Sequence, residues 1–211
     1  MYLPRHFEET DRGRLRELVV RNPLVHIVQA VDGTLQANPV PMLLVDDADG
    51  TWRLQGHVAR ANPMWRAEVP VLAIIAGPDQ YISPSWYATK AEHGRVVPTW
   101  NYATWHAHGQ LTAFESREWL LDLLHRLTTT HESRLPKPWA IDDAPTDYID
   151  GLLNAIVGIE IRIERIEAKF KLSQNHPAAN RQGVLDGLAG GGEDDGGALR
   201  HQMASVVDPP V

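Results

Sequence analysis

Three runs decide the fold: G-H-V-A-R-A-N-P at 56–63, V-P-V-L-A-I-I-A-G-P-D-Q-Y-I-S-P-S-W-Y-A-T-K at 69–90, and V-V-P-T-W-N-Y-A-T-W-H-A-H-G at 96–109. The first leaves a strand at a glycine and predicts a short helical turn over 59–65. In the second, the unbroken apolar run over 69–76 reads as a buried strand ended by Gly77-Pro78. A further short strand over 80–83 follows before Pro84 breaks the regularity. The third run alternates aromatic and polar residues with a period of two, the pattern of a half-buried barrel strand over 96–107, which 110–114 extends or returns. Thr99, Asn101, Ala103 and Trp105 share one of its faces, and Trp100, Tyr102, Thr104 and His106 share the other.

Upstream, residues 11–21 predict an amphipathic helix capped by Asp11 and stopped by Asn22-Pro23. Residues 24–31 form a β-branched apolar run closed by Asp32-Gly33, a hairpin-turn pair. The run over 35–45 contains Pro39 and Pro41 and therefore predicts an edge or bulged strand. After a turn at 46–50, residues 51–57 alternate as a strand.

Downstream the period lengthens. Trp119, Leu120, Leu123, Leu124 and Leu127 fall on one face of a helix over 116–131, and a second helix is expected over 146–155. Over 156–166, Ile159, Ile161 and Ile163 alternate with Glu160, Arg162 and Glu164, which predicts a strand with one wet face. Residues 169–175 close it, and a final helix is expected over 178–188. The run G-L-A-G-G-G-E-D-D-G-G from 187 is too poor in apolar surface to offset its ordering entropy. Residues 189–211 are therefore expected to form a flexible tail with a short helical stretch at 198–204. Strands first and helices late argue for a mainly β fold, a β-barrel with flanking helices, as a single domain over 1–188.

A chain of 211 residues is long enough for one well-cored domain. The absence of cysteine removes disulfides, thiolate metal sites and cysteine nucleophiles together. No apolar run approaches the roughly 20 residues that span a bilayer, and the N-terminus lacks the apolar core of a signal peptide. The expected address is the cytoplasm. The formal charge is −7, and the basic stretches at 12–21 and 162–171 are interleaved with acids. No helix-turn-helix pattern, zinc finger or basic arm accompanies them, so composition offers little for DNA. His106-x-His108 places two imidazoles on one strand face, but no H-E-x-x-H accompanies them and no metal site is expected. Neither G-x-S-x-G nor G-x-x-x-x-G-K is present, which argues against a serine hydrolase and a P-loop NTPase.

What the central runs do concentrate is cations, hydroxyls, amides and flat rings. Five of the seven Trp lie between Trp52 and Trp105. His57 and Arg60 are three apart after a strand, a spacing that suits a shared phosphate or, equally, a carboxylate pair beside a satisfied histidine. Tyr81, Ser83, Ser85, Tyr87 and Lys90 supply donors, and Trp86 is either a core ring or a stacking platform.

Five motifs in order carry a resemblance. They are M-Y-x-P-x-x-F at 1–7, G-H-V-A-R-A-N-P at 56–63, G-P-x-x-Y-I-S-P-S-W-Y-x-x-K at 77–90, V-P-T-W-N-Y at 97–102, and I-V-G-I-E-I-x-I-x-x-I-E-A-K-F-K-L-S-Q-N at 156–175. Together they resemble the FMN-binding negative transcriptional regulators of the PaiB type, a branch of the FMN-binding split-barrel, pyridoxamine-phosphate-oxidase-like proteins. The resemblance implies a homodimer with FMN in grooves at the subunit interface, and DNA as a partner. It implies that Arg60, with His57 and Asn62, meets the flavin phosphate. Ser83, Ser85, Trp86, Tyr87 and Lys90 would line the groove, with Trp100, Asn101 and His106 on the next strand or from the other subunit. Lys169, Lys171 and Gln174 would close it. The alternative function is an FMN-dependent oxidoreductase acting on a small molecule, with His57, His106 and Tyr87 as proton donors. A haem- or flavin-storing protein is the third.

Overall fold

The β architecture begins at Asp32-Gly33. Both residues take positive φ, 50° and 75°, the two-residue turn whose twist matches that of its flanking strands. The structure, a computed structural model, describes residues 1–190 and 195–207. The turn joins β1 (Leu24–Val31) to β2 (Thr34–Pro41), registered from Val31↔Thr34 to Leu24↔Pro41. The expected single run at 35–45 is two strands: β3 (Leu43–Asp46) starts after Met42, whose N–H donates to the Pro23 carbonyl at 2.8 Å. Then follow β4 (Trp52–Ala59), β5 (Pro70–Ile82), β6 (Thr99–Phe114) and β7 (Ile156–Lys171). The sheet order is β2-β1-β5-β6-β7-β4-β3, and its registered pairs β1·β2, β1·β5, β3·β4 and β4·β7 are antiparallel. Pro39 and Pro41 lie on the edge strand β2, where a missing N–H is tolerated.

The helices are α1 (Arg12–Arg21), α2 (Thr89–His93), α3 (Arg117–Glu132), α4 (Thr146–Asn154), α5 (Ala178–Ala189) and α6 (Asp195–Val207). The chain divides into two compact units that share β5, β6 and β7. One unit contains Met1–Arg21, Ala76–His106 and the described residues from Glu167 onward. The other contains Asn22–Ile75 and Ala107–Ile166.

In the second unit, Val25, Ile27, Leu54, Val157, Ile159 and Ile161 are buried, together with Leu120, Leu123 and Leu127 of α3. Ser116 caps α3 by accepting from the Trp119 N–H at 3.4 Å, and the Trp119 ring stacks on Phe114 at 4.4 Å. β7 is less regular than its alternation suggests. Glu160, expected on the wet face, is buried, because Arg53 (2.9 Å) and the Gln55 amide take up its carboxylate.

In the first unit, α1 buries Leu15, Leu18 and Val19, and the core includes Ile82, Trp105, Phe170 and Leu172. β5 does not end at Gly77-Pro78 but continues to Ile82. A Cβ at Gly77 would lie 2.5 Å from the Leu18 side chain and 2.9 Å from the Ala103 carbonyl, so this glycine permits a close approach instead of a stop. Within the expected tail, the helical stretch foreseen at 198–204 lies inside the longer α6, residues 195–207, whose Leu199, Gln202 and Met203 are buried. Composition misled here because an apolar pair four apart needs only one neighbouring helix face, not a core of its own. The remaining tail residues, 191–194 and 208–211, lie outside the described residues.

At Gly109, in β6, a Cβ would sit 2.0 Å from the Arg162 carbonyl of β7. Gly109→Ala is expected to cost about 3 kcal/mol, the upper range for overpacking, measured by denaturant unfolding. Gly151→Ala, in α4 with open space around it, is expected to gain about 0.5–1 kcal/mol by helix propensity.

Candidate functional site

β4 ends at Ala59, where Ala59↔Ile156 closes its ladder with β7. Asn62 then caps the turn Pro63–Arg66: its Oδ1 accepts from the Met64 N–H (3.0 Å) while its Nδ2 donates to Asn38 Oδ1 (2.9 Å). Arg60 tethers the turn. Its Nε donates to the Asn154 carbonyl at 2.8 Å, its Nη2 to the Ile156 carbonyl at 3.2 Å, and its Nη1 pairs with Glu115. Arg60 is therefore not the free phosphate-gripping cation expected of it. The carbonyls left at the α4–β7 junction and one carboxylate already engage it. Arg66 instead lies over the Trp65 ring, 4.3 Å from its centroid. Both border a groove of about 590 Å³, with Glu68 and Thr112 also on its wall. His57 faces Gly158 across the ladder. Its Nδ1 is buried without a hydrogen-bond partner among the described residues, and burial holds the imidazole below the usual histidine range.

The other expected residues belong to the first unit, and the structure separates them by role. Ser83 caps the turn Pro84–Trp86 by accepting from the Ser85 N–H (3.2 Å), and Ser85 Oγ accepts from Lys90 Nζ (3.0 Å). Trp86 packs beneath α5: a Cβ at Gly187 would lie 2.4 Å from its ring. Its half-buried indole thus gives one side to packing against α5. Trp100 is exposed and meets Tyr81 edge to face at 6.2 Å. His106 lies with Trp100, Tyr102 and Thr104 on the less buried face of β6, while Asn101, Ala103 and Trp105 face the core. Lys169 donates to the Tyr2 carbonyl (3.2 Å) and lies over the Tyr2 and Tyr102 rings. Gln174 does not close a site. Its amide accepts from the Leu172 N–H (2.7 Å) and donates to the Phe170 carbonyl, finishing the turn after β7.

Three of the expected residues do converge. Tyr87, Asn101 and Lys171 line a cleft of about 470 Å³ in the first unit, with His93, Arg95, Thr99, Ser173 and His176. Lys171 Nζ donates to Thr99 Oγ1 and, at 2.8 Å, to the Trp100 carbonyl. Asn101 Nδ2 donates to Ser173 Oγ at 2.9 Å. The sequence reading missed His93, Arg95 and His176. H-G-R at 93–95 and the histidine following S-Q-N were the available signals.

Residues 1–165 match the family model described as "Putative FMN-binding domain". The chain belongs to this FMN-binding family. It is 32% identical over 211 residues to protease synthase and sporulation protein PAI 2 of Bacillus subtilis, covering 99% of this chain and 97% of the relative. It is also 32% identical over 234 residues to an uncharacterized protein of Emericella nidulans, with 93% of each chain covered. Among solved structures, the FAD and heme binding protein from Mycobacterium smegmatis superposes with a TM-score of 0.55 at 18% identity, over 88% of this chain and 80% of that one. The chain is thus a PaiB-like protein, its fold is the flavin-binding split barrel, and its cofactor is FMN. No described helix is long and apolar enough to cross a membrane.

The groove beside the turn after β4 lies within the family's matched residues and offers this cofactor a cation on an aromatic ring, while the unpartnered His57 nitrogen belongs to the preceding strand. With its folded pKa depressed, His57 resists the proton that the unfolded chain accepts near pH 6.5. Stability is therefore lost as the pH falls from about 6.5 toward the lower folded-state value. A His57→Gln variant is expected to lose less Tm between pH 7.5 and pH 5.5 than the parent protein, measured by calorimetry.

Proposed function

We propose that FMN is held at the turn after β4, by His57, Asn62, Trp65 and Arg66, in a homodimer that acts as a negative transcriptional regulator. The buried His57 nitrogen with no partner carries the placement of the flavin. It lies in the stretch that the family match covers, whereas Lys171, Ser173 and His176 of the cationic cleft lie beyond residue 165. The dimer is supported by exposed aromatic surface in the first unit, where Tyr81 and Trp100 meet edge to face and are 44% and 53% exposed. Such a patch marks an interaction surface more often than a solvated one. The regulatory role rests on the Bacillus relative, whose name refers to protease synthesis and sporulation.

One observation favours a second reading, an FMN-dependent oxidoreductase. The formal charge is −7, and the basic stretches carry acids among them, so the sequence offers little for duplex DNA. A gel shift at physiological salt separates the two readings. Retardation of promoter DNA supports the regulator. No retardation, together with NAD(P)H oxidation in the presence of FMN, supports the enzyme.

The purified protein is expected to be yellow and to release FMN on heating. His57→Ala and Asn62→Ala are expected to weaken FMN about tenfold each, about 1.4 kcal/mol. Glu118→Ala, on the exposed start of α3, is expected to leave retention unchanged. A colourless dimer indifferent to added FMN overturns the placement.

A further inference from the structure

The cleft of the first unit has walls unlike the rest of the molecule. In a chain of net charge −7, Arg95 and Lys171 line it and no Asp or Glu does. Lys171 uses two of its three ammonium donors on Thr99 and the Trp100 carbonyl. Burial and, to a lesser degree, the neighbouring Lys169 hold its pKa below the usual lysine range. Tyr87 is 3% exposed, and its hydroxyl has no hydrogen-bond partner among the described residues. A buried hydroxyl left without a partner carries an uncompensated desolvation penalty, which an anion accepting its hydrogen bond would recover. The Tyr87 ring is fixed by a parallel stack with His176, 4.8 Å between centroids at 21°. Asn180 locks the floor, accepting from the Thr89 N–H (3.1 Å) and donating to Thr89 Oγ1 (2.9 Å). Ser173, on the wall, takes a φ of 65°, a left-handed conformation costly for a residue with a side chain and held here by its contact with Asn101. Val96, Val97 and Pro98 form an apolar rim.

We propose that this cleft is a second binding site, taking a small organic anion whose phosphate or carboxylate head meets Lys171, Arg95 and the Tyr87 hydroxyl. The body of that ligand lies on the Val96–Pro98 rim. A cavity of about 470 Å³ falls within the range of small-molecule sites. Preorganised donors with no competing carboxylate favour the charged head over neutral analogues. This inference rests on the proposed placement of FMN at the turn after β4, which frees Tyr87, Asn101 and Lys171, residues the resemblance gives to the flavin groove, to serve this cleft.

The test uses the full-length protein loaded with FMN. Phenyl phosphate, benzoate and benzyl alcohol are titrated by calorimetry, with inorganic phosphate as the head alone. Phenyl phosphate or benzoate is expected to bind and benzyl alcohol is not. Which acid binds more tightly tells a phosphate ligand from a carboxylate one. Lys171→Met is expected to weaken the preferred acid at least tenfold, and Tyr87→Phe, which removes only the hydroxyl, severalfold. Both variants are expected to keep FMN as the parent protein does. The proposal is overturned if neither acid binds or if both variants bind as well as the parent. It is also overturned if the variants lose FMN in parallel, since the cleft would then be part of the flavin site.

Discussion

β6 and β7 can lie side by side only because residue 109 has no side chain. The Arg162 carbonyl occupies the place where a Cβ would be, and that proximity fixes how the two sixteen-residue strands face each other. Much else is hung from this pair. β7 sets the register of β4, and with it the position of His57 opposite Gly158. The start of β6 and the end of β7 bring Asn101 to Ser173 and Lys171 to Thr99.

Arg60 shows how a residue can matter to a site without touching a ligand. Its guanidinium gathers two carbonyls and a carboxylate from the ends of α4 and β6 and the start of β7. Those groups would otherwise be backbone acceptors without partners or a lone charge at the mouth of the turn. With Arg60 engaged in this way, Arg66 is the cation that lies on the Trp65 ring beside the groove. Cations are divided similarly in the first unit. Lys169 and Lys90 are engaged by Tyr2 and Ser85, while Lys171, anchored by Thr99 and the Trp100 carbonyl, and Arg95 line the cleft.

The strands were legible wherever period and punctuation agreed. Asp32-Gly33 located the first hairpin, the alternation through β6 sorted its two faces correctly, and the Leu120, Leu123 and Leu127 stripe identified α3. The errors share a cause. Gly77-Pro78 reads as a stop, and only the Leu18 side chain lying against it explains why the strand continues. Glu160 reads as solvated, and only Arg53 and Gln55 on the neighbouring strand make its burial tolerable. Residues 189–211 read as a tail with only a short helix at 198–204, because glycine and acid dominate locally and hide the full length of α6. In each case the deciding partner is distant in sequence. The same holds for the site: residue types announced a ligand, but their sorting into caps, tethers, packing and cleft depended on contacts that spacing does not encode.

The family match stops at residue 165, and β7 continues to Lys171. That boundary is not a limit of the resemblance, since the Bacillus relative covers 99% of this chain, and it is not a limit of folding. A chain ended there would sever β7 part-way along its length and strip the start of β6 of its hydrogen-bonding neighbour. The bared edge would offer unpaired N–H and C=O groups to any passing strand, an invitation to aggregate. The segment past the match is thus a sealant for the sheet, whatever else it binds.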